Sequence, residues 1–145
     1  MRAVVQRVSS ASVSVGDEVV GRIGEGLCVF VGVGHEDDDG SAARLADKLW
    51  HARVFADESG KMNRAAADLD RELLVVSQFT LYADTTRGRR PSFAASAGPE
   101  AAEPLVERLV AELVQLGARV ATGRFRAQMA VTLTNDGPVT LVLEV

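Results

Sequence analysis

A single cysteine, Cys28, among 145 residues leaves no internal disulfide and no cysteine-based metal cluster to consider. It lies in the apolar run Leu27-Cys28-Val29-Phe30-Val31, where a thiol packs as a small hydrophobe. A catalytic thiol needs a histidine partner and an electropositive setting, and neither stands near it in the sequence. Histidine is almost as scarce. His35 falls in a loop and His51 on a helical segment, and neither belongs to a motif containing a hydroxyl that it could activate. No apolar stretch approaches the roughly 20 residues that cross a bilayer. Gln6 and Arg7 break the first apolar run before a signal-peptide core can form, so a cytoplasmic location is expected. Positive charge is also short: 16 Lys and Arg against 20 Asp and Glu give a net charge of −4, which disfavours bulk attraction to nucleic acid. Local basic groups remain at Arg87, Arg89 and Arg90, and at Arg124 and Arg126. The carboxylates of Asp37, Asp38 and Asp39 are consecutive, so their side chains diverge rather than converge on one ion. Gly32 and Gly34 lack the third glycine and following helix of a nucleotide-binding loop. Neither metal nor cofactor is expected.

What is present describes one α/β domain spanning residues 1–145. The length suffices to bury roughly two-thirds of the unfolded surface, and 47% apolar with 25% charged residues is ordinary for a globular chain. Strand patterns run from Ala3 to Val8, Ala11 to Val15, Val19 to Ile23 and Leu27 to Val33, separated by turn signals at Gly16-Asp17 and Gly24-Glu25-Gly26. Helical spacing follows from about Ser41 to Phe55, with Leu45, Leu49 and Ala52 beside Ala42, Ala46 and Trp50. Glu72 to Val76 reads as a strand. Pro99 to Leu116 reads as a second helix carrying Leu105, Leu109, Leu113 and Leu116 on one stripe, with Gly117 as its stop. Pro104 is tolerable near a first turn, which argues for a start later than Pro99. Val120, Met129 to Leu133 and Val139 to Val145 supply closing strands. The sum is two main helices on a largely antiparallel or mixed sheet.

Two segments carry chemistry. Ser77-Gln78-Phe79-Thr80-Leu81 ends the Glu72–Val76 run, and Asn135-Asp136-Gly137-Pro138-Val139-Thr140 interrupts the last strand pattern. Thr80 is a possible nucleophile, but no base accompanies it. The hydroxyls of Ser77 and Thr80 can equally satisfy backbone groups where the strand ends. The N–H groups around Phe79 and Thr80 could instead steady an oxyanion, and Phe79 could stack on a base. Proline in Gly137-Pro138 donates no ladder hydrogen bond, so the residues alone read as a trans turn.

This pair of motifs, in this order, resembles the signature of the D-aminoacyl-tRNA deacylases. The likeness extends through Met1-Arg2-Ala3-Val4-Val5-Gln6-Arg7-Val8 and Asp57-Glu58-Ser59-Gly60-Lys61-Met62-Asn63 to the last residue. It implies a sheet curled toward a barrel, a homodimer, and hydrolysis of the ester between a D-amino acid or glycine and the 3′-terminal adenosine of tRNA. It further implies that Gly137-Pro138 is a cis pair entering the partner's site, where its carbonyls hold the α-amino group and exclude L side chains. Ser77, Gln78, Phe79 and Thr80 would line the adenosine and ester site, and Met129 would pack beside it. Arg87, Arg89 and Arg90 would grip the acceptor stem. Arg126 stands where such proteins commonly carry glycine, which alters the pocket rim. Two other readings remain: a non-catalytic tRNA-binding module, and an esterase using Thr80 as a side-chain nucleophile.

Overall fold

One long strand organises the sheet. In the computed structural model, which describes residues 1–145, β1 (Arg2–Val15) pairs antiparallel with three strands. Its first half pairs with β3 (Gly26–Gly32), its second half with β2 (Glu18–Ile23), and its other edge runs along β8 (Ala130–Glu144). At about 3.3 Å per residue such a strand is long enough to serve two partners in succession on one side. Sequence patterning splits it at Ser9-Ser10. Both serines are exposed, yet the ladder to β8 continues past them, because strand identity depends on pairing as well as on apolar character. The last strand is likewise continuous from Ala130 to Glu144 rather than divided, with the second motif carried as a bulge.

β6 (Glu72–Ser77) lies parallel to β3, and β7 (Arg119–Thr122) parallel to β6. Leu73, Leu74, Val75 and Val76 are all buried, as expected of a parallel strand covered on both faces. The free edge of β7 then comes round to β2. A Cβ built on Gly21 would lie 2.5 Å from the Thr122 carbonyl oxygen, so the sheet nearly closes on itself. The result is an α/β domain with a barrel-like mixed sheet and three helices.

Asp38 caps α1 (Asp39–His51), accepting from the Ser41 N–H at 2.8 Å. That bond holds its carboxyl below the usual carboxylate range. The helix ends earlier than the periodicity to Phe55 predicts. Ala52 turns into extended backbone, and β4 (Phe55–Ala56) pairs with β5 (Met62–Arg64), a small hairpin that patterning misses. A single turn, α2 (Ala66–Leu69), was also illegible. Contrary to the later start inferred from Pro104, α3 begins at Pro99 and runs to Gln115. Pro104 and Glu100 both lie on the exposed face, so water can satisfy the carbonyl that the missing N–H would have met. Leu105, Leu109 and Leu113 are buried, but Leu116 caps the helix and is 40% exposed, so it leaves the predicted stripe.

The apolar side chains form two cores. The larger joins one face of the sheet to α1 and α3 through residues such as Val5, Val29, Leu49, Leu73 and Leu109. The smaller fills the curl of the sheet with Val8, Ala11, Val13, Ile23, Cys28, Leu74 and Val76. No helix is long and apolar enough to cross a membrane.

Candidate active site

The first motif closes β6 and folds into a 3-10 turn over Phe79–Tyr82. The Gln78 N–H donates to the Val31 carbonyl at 2.7 Å, fixing the exit of the strand, and the Leu81 N–H donates back to Gln78 at 3.2 Å. The N–H groups of Phe79 and Thr80 precede the first internal bond of the turn. Arg2 locks the turn from below. Its guanidinium donates to the Leu81 carbonyl at 2.8 Å and lies 4.9 Å from the centre of the Tyr82 ring. Tyr82 in turn donates to Asp37 at 3.4 Å. Burial, and then the negative charge of Asp37, push its hydroxyl up to about 12.

A cavity of about 560 Å³ opens beside this turn. Ser77, Gln78 and Phe79 line one part, Met129 and Val131 another, and Phe93, Ala97 and Ala102 a third; 12 of its 18 lining residues are hydrophobic. Met129 is held by its own loop: its sulfur accepts the Arg124 N–H at 3.4 Å and lies where any side chain on Gly123 would collide. Phe79 is 57% exposed and meets Phe93 edge to face with ring centres 5.0 Å apart. Thr80, by contrast, is exposed outside the lining, and its hydroxyl accepts from Gln78 Nε2 at 2.5 Å. Both histidines are engaged elsewhere, His35 with the Ala94 carbonyl at 2.7 Å and His51 with the Asp47 carboxylate at 3.0 Å.

The basic loop leaves the turn directly. Asp84 and Ser92 pin its base by mutual backbone bonds of 2.8 Å. Two bonds from Thr86, the hydroxyl and then the backbone N–H, draw the Asp84 carboxyl down. Arg87, Arg89 and Arg90 are exposed on it.

The second motif lies elsewhere in the chain. Pairing between β1 and β8 skips from Gln6–Thr140 to Val8–Asn135, and the intervening residues of β8 rise out of the ladder. Asn135 closes the bulge by donating to the Thr140 hydroxyl at 3.1 Å and accepting the Val139 N–H at 3.2 Å. The Gly137–Pro138 bond is cis, as the family resemblance implied and the residues alone did not, and Gly137 has φ +124°. Arg7 braces the bulge, donating to the Asp136 carbonyl at 3.1 Å and to the Val54 carbonyl at 2.7 Å. Gly137 and Pro138 are exposed and take no part in lining the cavity that Ser77–Phe79 and Met129 share. Arg7, Arg2, Tyr82 and Phe93 therefore join the predicted residues as supports. Arg7 left a trace in the sequence: it follows Ala3 and Val5 at every second position, on the face that is otherwise buried.

The three consecutive carboxylates do diverge. Asp37 bonds the Gly34 N–H and the Met1 amine, Asp38 caps α1, and Asp39 reaches Arg108 at 3.8 Å. Cys28 lies in the inner core, and burial pushes its thiol from 9.0 up to about 11. The native protein should resist an aromatic disulfide reagent at pH 8 and react only when unfolded. The unfolded chain releases this proton first, so the thiol's contribution to stability is complete below pH 9 and lost toward pH 11. A denaturation midpoint unchanged between pH 8 and 11 in the wild type relative to Cys28→Ala would contradict this.

The profile of the D-Tyr-tRNA(Tyr) deacylases matches residues 4–144. The chain belongs to this family. A Streptomyces coelicolor relative named D-aminoacyl-tRNA deacylase is 59% identical, with each chain fully covered. A Nocardia farcinica relative of the same name is 60% identical over 99% of both chains. Among solved structures, one described as the c-Myc DNA unwinding element binding protein superposes with a TM-score of 0.94 at 40% identity, covering 100% of this chain and 99% of its own. A probable eukaryotic D-amino acid tRNA deacylase has a TM-score of 0.86 at 17% identity, covering 99% and 98%, which shows the shared fold. The family is one of hydrolases that cleave the ester of an aminoacyl-tRNA, and both motifs of this chain sit within the matched span.

Proposed function

We propose that residues 1–145 act as one D-aminoacyl-tRNA deacylase unit, with a site completed by a second copy of the chain. The observation that carries this is the separation of the motifs: the cavity has Ser77, Gln78, Phe79 and Met129 on its wall, while Gly137 and Pro138 project outward. A motif that projects from a braced bulge is placed to enter another molecule. The outer edge of β8 pairs with nothing in its own chain, and Val142 upon it is 65% exposed, which favours a partner there.

In this reading the terminal adenosine of tRNA enters the apolar cavity and stacks on Phe79, with Ser77 and Gln78 beside it. Arg87, Arg89 and Arg90 meet the phosphates of the acceptor stem. Water attacks the ester carbonyl, and the N–H groups of Phe79 and Thr80 steady the oxyanion as it forms. The acyl–oxygen bond breaks and the ribose oxygen takes a proton, releasing the amino acid and tRNA. The adenosine 2′-hydroxyl assists, because no side-chain base is at hand. Across the dimer, the backbone carbonyls of Gly137 and Pro138 accept from the α-amino group. An L side chain would then run into backbone and a D side chain would point away, so selection works by exclusion. Glycyl-tRNA has no side chain to reject and is cleaved as well.

The test is deacylation of matched D-tyrosyl-, L-tyrosyl- and glycyl-tRNA. Fast loss of the D and glycyl esters with the L ester spared is expected, and equal loss of D and L would refute exclusion by the backbone. Thr80→Ala should retain activity within about tenfold of wild type, since a lone hydroxyl without a base contributes little as a nucleophile. A folded but inactive Thr80→Ala would favour the nucleophilic esterase instead. A second reading, a nucleic-acid-binding module without turnover, draws on the 40% identical structure described as a DNA-binding protein. Binding without hydrolysis of any ester would favour it.

A further inference from the structure

We infer that Arg126 is a phosphate clamp, holding the phosphodiester that leads into the nucleoside bound beside Ser77–Phe79. The inference rests on the deacylase reading. Arg126 is the one charged side chain among the 18 residues that line the cavity. Arg126 is itself exposed, so it stands at the solvent-facing rim of this mostly apolar wall, where an entering anion meets no other charge of the lining. Its neighbour Arg124 is occupied by Glu18 at 3.3 Å, whereas Arg126 has no acidic partner. Arg126 is also one of only two non-glycine residues with positive φ, at 62°. Glycine adopts that backbone freely and arginine does so at a cost, so local conformation does not favour the residue found there.

The chemistry of the substrate says which end Arg126 faces. The amino acid is esterified and presents a cationic α-amino group, which a guanidinium repels. The nucleoside end presents a phosphodiester, anionic throughout the neutral range, which a guanidinium meets with paired N–H donors. Arg126 therefore stands over the 5′ side of the terminal nucleoside. Arg87, Arg89 and Arg90 lie outside the cavity and reach phosphates farther along the strand.

The experiment compares wild type, Arg126→Gly and Arg126→Lys on D-tyrosyl-tRNA and on 3′-O-D-tyrosyl-adenosine, which lacks phosphate. Glycine suits the backbone, so folding is preserved and a melting temperature at or above wild type verifies it. With Arg126→Gly, KM for the tRNA ester should rise about tenfold with kcat nearly constant, as for a lost phosphate contact. The preference for the tRNA ester over the adenosine ester should fall by the same factor. The salt dependence of log(kcat/KM) should flatten by about 0.7, the value for one single-strand phosphate. Lysine should restore part of both effects. Equal losses on the two substrates, or an unaltered salt slope, would overturn the clamp while leaving the deacylase reading intact. A wild type inactive on both esters would overturn the two together.

Discussion

Gly137→Ala is expected to lower deacylation of D-aminoacyl-tRNA by about 100-fold or more, because displacing a positioned group by about 1 Å has that effect. A Cβ at this position would lie 2.7 Å from Arg7 Nη2 and 3.0 Å from a Val139 methyl. Arg7 cannot swing away freely, since it donates to the Val54 and Asp136 carbonyls at 2.7 and 3.1 Å. The residue also holds φ +124°, which an L side chain adopts only with strain of about 1–3 kcal/mol. The bulge must therefore shift, and with it the carbonyls proposed to hold the α-amino group. The strain is local and solvent-exposed, so the fold should survive. Single-turnover deacylation with a thermal melt checks both parts. A stable variant within about threefold of wild type would remove Gly137 from the selective machinery; that limit is well below the 100-fold expected of a misplaced group.

Gly26→Ala is expected to destabilise the fold by about 3 kcal/mol or more, at the upper end of what overpacking does. Gly26 lies between two strands, paired with Val8 of β1 on one side and Glu72 of β6 on the other. Its Cβ would fall 1.9 Å from the Glu72 carbonyl oxygen and 2.8 Å from the carbonyl carbon, both backbone atoms. Relief requires β3 and β6 to part where their parallel ladder begins, which also disturbs the strand that ends in Ser77. Gly24, two residues earlier, is the control. Its Cβ would meet only the end of the Glu72 side chain at 3.5 Å, so Gly24→Ala should change stability by no more than about 0.5 kcal/mol. Urea denaturation of the three proteins, with similar m-values, decides it. Equal stabilities of the two variants would show that the strands yield more easily than their backbone contact implies.

Gly24-Glu25-Gly26 shows where sequence reading stops. As residues they mark a turn, and both glycines look alike. Only the neighbouring β6, more than 40 residues away in the chain, makes one indispensable and the other replaceable. The same holds for β1, where Ser9-Ser10 read as a break. They mark the region where a continuous strand exchanges β3 for β2. The helix ends were missed for a related reason. Apolar spacing continues to Phe55, but Phe55 is buried as part of a hairpin with Arg64, and periodicity does not distinguish the two fates.

The sequence by itself determined the buried strands, the leucine stripe of the second helix, the inert setting of Cys28 and the two motifs with their family. These depend on the alternation and spacing of neighbouring side chains, which a linear chain carries within a few residues. The tertiary structure decided that Thr80 lies outside the cavity, that Arg2 and Arg7 brace the two motifs, and that Gly137 and Pro138 take no part in lining the cavity of their own chain. Those outcomes depend on contacts between residues dozens to more than a hundred positions apart, where strand register and the curl of the sheet set distance and direction.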